Sequence, residues 1–117
     1  MTAGEPNIHH IYPLFEKHHF DKSEALDVVN LFLAITAKDR NKINALNSRI
    51  EYFKLQTQIA DSLQMELNTA IQKWSDKVRR LGGIPIELFK VKIPTDGGFY
   101  LWEFPHANID FIPEISH

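Results

Sequence analysis

The residues whose chemistry could exceed packing are few: histidines, one aromatic strand and a late run of basic side chains. His9-His10 and His18-His19 sit early in the chain, and His106 follows the aromatic strand. Two or three imidazoles with Glu103 or Asp110 could ligate zinc or a similar ion. Adjacent histidines on an extended strand point to opposite faces, so one of each pair at most could serve one site. No HExxH or comparable spacing is present. Ordinary exposed or partly buried histidines are the simpler reading, and no metal or other cofactor is expected.

Tyr100, Trp102 and Phe104, with Glu103 and His106, could line a small-molecule pocket, because pockets are apolar with a few polar groups. Trp102, Glu103 and His106 are therefore the candidate ligand-binding residues. The competing reading makes the aromatics the core of a β-ribbon. Lys73, Lys77, Arg79, Arg80, Lys90 and Lys92, interleaved with Trp74 and Phe89, could touch nucleic acid. Positive charge at a helix C-terminus and a solvated ribbon face explain them more simply. Nucleophilic catalysis has no support: there is no Gly-x-Ser-x-Gly elbow, no phosphate-cradling glycine loop and no catalytic set.

The elements that would carry these residues read clearly in parts. Met1 to Asn7 is small and polar, a loose tail. Residues 8–20 read as an extended arm, with Pro13 forbidding a central strand. Asp21 and Glu24 form a capping box that opens a helix. Leu26, Val29, Leu33 and Ala37 make its stripe, widened by Ala25, Val28, Phe32 and Ile35. From Leu14 to Leu81 there is no glycine or proline. Leu46, Ile50, Phe53, Ala60, Leu67, Ile71, Trp74, Val78 and Leu81 fall on a three-four seam, interrupted by Thr57 and Gln64. A single rod over that length would reach roughly 90 Å at ~1.5 Å per residue. The chain should therefore turn back between Lys38 and Gln58, with Asn44 to Ser48 the best position because asparagine tolerates the left-handed end of a helix. Ser48 to Glu51 could then cap the second helix, with Asp61 to Gln64 a weaker candidate, and Gly82-Gly83 ends it.

From Ile84 the period changes to two. Phe89, Val91 and Ile93 alternate with Lys90 and Lys92. Pro94 to Gly98 carries an Asp-Gly hairpin signal. Phe99 to Phe104 is the partner strand, and Ile109 to Ile112 could add a third. The expected fold is α+β, mainly α: a single domain with a helical hairpin over 21–81 and a small antiparallel β-ribbon over 84–113. The ribbon should face the helices through Tyr100, Trp102 and Phe104, or through Phe99 and Leu101.

The layout resembles a bacterial family of small uncharacterised proteins, domain-of-unknown-function family 2203. Phe20, Asp21, Glu24 and Ala25 match its opening. Gly83, Ile93-Pro94 and Leu101-Trp102 match its glycine, its extended segment and its tryptophan strand. Ile109 and Glu114 fall in its tail. Lys92, Leu101 and Pro105-His106 depart from its pattern. The resemblance implies the hairpin-and-strand fold, in a family whose role is unknown.

Composition sets the outer limits. The 117 residues allow one core. A net charge of −2 argues against general nucleic-acid binding. The absence of cysteine removes disulfides, thiolate metal sites and cysteine nucleophiles. No apolar run approaches the ~20 residues of a membrane span, and no signal peptide is visible, so a cytoplasmic protein is expected. The seam would be about 54 Å long if unbroken, which an ordinary first helix could not cover. The leading expectation is a non-enzymatic interaction or structural protein, homodimeric through its long helices. The alternative is a small metal-dependent enzyme or small-molecule-binding module built on Trp102, Glu103 and His106.

Overall fold

The computed structural model describes residues 19–115. Residues 8–18 of the extended arm, with His9, His10 and His18, lie outside the described residues. Two helices pack antiparallel: α1 spans Lys22–Tyr52 and α2 spans Thr57–Arg80. Four strands follow, β1 (Ile84–Glu87), β2 (Lys90–Thr95), β3 (Gly98–Glu103) and β4 (Asp110–Pro113), forming one antiparallel meander in that order. The architecture is α+β and mainly α, as the sequence periodicity implies. The ribbon is a four-stranded sheet because residues 84–95 double back on themselves instead of running as one strand.

Helix α1 starts at the capping box. Asp21 accepts from the Glu24 backbone N–H at 2.8 Å, and Glu24 accepts from the Asp21 N–H at 3.0 Å. Helix α2 ends in a paired glycine motif. Gly82 N–H donates to Arg79 O at 3.0 Å and Gly83 N–H to Val78 O at 3.1 Å, with Gly82 at φ 95°. Gly83 serves packing: a Cβ there would lie 2.7 Å from Phe32 Cζ and from Val91 Cγ1.

The turn lies within the span expected but not at Asn44 to Ser48, which sit inside α1. It occupies residues 53–56, without glycine, proline or a side-chain cap on α2. Register explains the position. Trp74 Nε1 donates to Thr36 Oγ1 at 2.8 Å, and Lys77 Nζ to Asp39 Oδ2 at 3.1 Å. The midpoints of these pairs, residues 55 and 58, fix where an antiparallel pair must fold. A turn near residue 46 would leave Trp74 facing the chain before α1 begins.

That fold-back corrects the seam. The buried stripe of α1 is Ala25, Val28, Val29, Phe32, Thr36, Ile43 and Leu46, with Ala37 exposed. The stripe of α2 is Leu63, Leu67, Ala70, Trp74 and Val78. Thr57 and Gln64 are exposed, and Gln64 bonds Asn68 one turn on, so neither interrupts an interface. A first helix of 31 residues runs alongside the second, whose Leu63, Leu67, Ala70, Trp74 and Val78 are buried within one chain.

Two cores result. The proximal core joins Phe20, Phe32, Trp74 and Val78 to Val91, Ile93 and Trp102 of the sheet. The distal core is hairpin alone: Ile43, Leu46, Leu63, Leu67 and Ala70. The sheet faces the helices through Trp102, with Tyr100 and Phe104 beside it, one of the two faces expected. Phe89 packs on both cores. It sits not in a strand but in the β1–β2 turn at φ 65°, a conformation costly for a bulky residue. Its ring meets Trp74 edge-on with centroids 5.5 Å apart, which holds it there.

Candidate functional site

The outward face of the sheet and the loop after β3 carry the polar residues singled out by sequence. Strand alternation sends Trp102 inward and Leu101 and Glu103 outward. Pairing of β3 with β4 sets Asp110 opposite Leu101. The connection bends so that His106 and Asn108 close over this end. Leu101, Glu103, His106, Asn108 and Asp110 together line a cavity of about 270 Å³.

The loop is held from beneath. Trp102 Nε1 donates to His106 O at 2.7 Å, and His106 N–H donates to Glu103 O at 2.9 Å. Phe104 N–H donates to Phe89 O at 3.0 Å, tying the loop to the β1–β2 turn. His106 Nδ1 lies 3.1 Å from Glu103 O. A carbonyl only accepts, so Nδ1 carries the proton and Nε2 is the acceptor in the neutral ring.

The structure thus brings Glu103 and His106 to one cavity and keeps Trp102 out of it. Trp102 is fully buried at 0% exposure, so no ligand touches it; it orders the loop that does the lining. Asn108, absent from the sequence-based candidates, joins the lining. The strand pairing that puts Asp110 there, and not its position in sequence, is the signal.

His19 belongs elsewhere. Its Nδ1 is 2.7 Å from Asp96 Oδ1, in the β2–β3 turn. Six residues of β3 separate that turn from the His106 end, about 17–20 Å at ~3.4 Å each. His19 and His106 cannot share an ion. Among the described residues no three His, Asp or Glu side chains gather in a way that could hold a metal. The cavity offers two carboxylates, an imidazole nitrogen and an amide, a set that suits an organic cation with hydrogen-bond donors.

The basic residues also divide. Lys92 lies over the Phe99 ring at 4.6 Å, on the outward sheet face. Arg79 stands 3.7 Å from Asp76. Lys73 and Lys77 face α1, where Lys38 and Lys42 meet them.

Large apolar side chains are exposed on the sheet, among them Ile84, Ile86, Leu88 and Phe111, on the helices at Leu31 and Met65, and at the hairpin tip. Tyr52 is 81% exposed, Leu55 91% and Ile59 40%. Beside them Lys54 Nζ lies 2.7 Å from Glu51 Oε2. That contact holds the Glu51 carboxyl below its ordinary range and the Lys54 ammonium above its own. Comparison of the chain with family models, curated proteins and solved structures finds no match to any of them.

Proposed function

We propose that this protein is a non-enzymatic interaction module that pairs with a second copy of itself through the tip of its helical hairpin. The observation that carries the reading is the exposure of Tyr52, Leu55 and Ile59 together at the end of the hairpin, where Tyr52 and Leu55 are the most exposed large apolar side chains among the described residues. Large apolar side chains gathered at an element's end are a common mark of an interface. Glu51 and Lys54 lie side by side at its rim, so a two-fold arrangement would set each against its opposite in the partner. The cytoplasm suits a chain without cysteine. Among the described residues no helix is long and apolar enough to cross a membrane. The resemblance to family 2203 belongs to the same reading and adds no activity to it.

The absence of native cysteine gives a clean test. Leu55→Cys at micromolar concentration should form a disulfide-linked dimer under mild oxidant. Glu87→Cys, on exposed β1, should stay monomeric under the same conditions. Equal cross-linking at both positions would reduce the tip to random collision.

The cavity at Glu103 and His106 favours a second reading, a binding module for a small organic cation. Here a two-dimensional NMR titration with agmatine should move the amides of residues 101–110 saturably, and Glu103→Gln should weaken binding about tenfold. Shifts scattered over the whole surface would end this reading.

A further inference from the structure

Between α1 and α2 lies a second hollow of about 270 Å³. Lys38, Asp39 and Lys42 line it from α1, and Ala70, Lys73 and Lys77 from α2. Sequence gives the reason for both its depth and its charge. Ala70 occupies a stripe position where Leu67 and Trp74 flank it, so the interface is hollow at that level. Lys38 and Lys42 are one turn apart, as are Lys73 and Lys77, so each wall presents two ammonium groups at successive levels. Four ammonium groups face one carboxylate there, in a molecule of net charge −2.

That carboxylate is already engaged. Asp39 takes Lys77 Nζ at 3.1 Å and 3.2 Å through its two oxygens. Among the described residues Lys38, Lys42 and Lys73 make no ion pair within 4.0 Å. Gathering like charges around a half-apolar hollow raises their mutual repulsion, and an anion relieves it.

We propose that this groove binds a compact polyphosphate-class anion. Lysine is a strong point-charge partner for phosphoryl oxygens. The charges are spread along about one helical turn, roughly 5–6 Å, on both walls, which suits linked phosphoryl groups over a single one. A nucleic acid fits less well. Lys90 and Lys92 lie on the sheet and Arg79 lies beside Asp76, so among these basic residues none extends the groove into a continuous track. On the tip side, Lys42 also borders an open depression that holds Glu66.

The test is isothermal titration with tripolyphosphate at low ionic strength. Saturable one-site binding is expected, weakening as salt is raised. Lys42→Gln with Lys73→Gln should raise the Kd about tenfold or more. Lys90→Gln with Lys92→Gln removes the same charge from the sheet and should change it by less than about twofold. All four side chains are at least partly exposed, so circular dichroism and thermal unfolding should be unaltered in both variants. Adenosine triphosphate in a parallel titration distinguishes a nucleotide-borne chain from a free one, and binding of either supports the site. No saturable binding, equal weakening by the two double variants, or tighter binding of a single-stranded oligonucleotide than of tripolyphosphate would overturn the proposal.

Discussion

Thr36 shows how one side chain sets the architecture. It is a polar residue at 0% exposure, and its hydroxyl accepts the Trp74 indole N–H across the helix pair. No buried side-chain polar atom among the described residues lacks a partner, and this bond is one reason. Thr36→Val keeps the shape but leaves the indole donor unpaired in the core. It should cost about 1–3 kcal/mol, measured by urea unfolding, whereas Thr36→Ser should cost less because the acceptor remains. If valine proved as stable as threonine, the bond would carry no net stability. The same residue marks where sequence reading slipped. A threonine does not register as core, so the apolar stripe of α1 drew Ala37 in, and Ala37 is exposed. Phe89 slipped for a related reason: its apolar character suited a strand, and nothing local announces a positive φ in a phenylalanine.

At the scale of elements, the signals written in local chemistry were legible and those written in tertiary pairing were not. The capping box at Asp21, the double glycine after α2, and the Asp96-Gly97 turn each follow from one or two residue types. The turn at 53–56 carries no breaker; it is placed by the match of Thr36 to Trp74 and Asp39 to Lys77. The site was half legible. Glu103 and His106 do share a cavity, but Trp102 lies beneath it, and the groove lysines of α1 were missed because they meet their partners only after the fold-back. The hairpin is also uneven. Its proximal half is clamped by the sheet, while its distal half rests on five buried residues. Backbone amides of residues 43–70 should therefore exchange with solvent faster than those of residues 25–36 and 74–78. Hydrogen exchange followed by NMR reads this directly, and uniform protection along both helices would contradict a two-core hairpin.

The whole molecule is a small sheet-and-helix body from which a helical pair extends. Its Cα radius of gyration is 17.3 Å, against about 13 Å for a compact chain of this length. An extended hairpin costs surface, and its two helices bury their facing stripes within one chain, so the proposed self-pairing is placed at the tip. That is a narrower claim than a dimer along the full helices, and it predicts a modest interface. Sedimentation equilibrium on the untagged chain tests it most directly. The account predicts a reversible monomer–dimer equilibrium above 13.6 kDa at micromolar concentration, shifted to monomer by Leu55→Glu. A single species of 13.6 kDa across that range, or a dimer indifferent to Leu55→Glu, would contradict it.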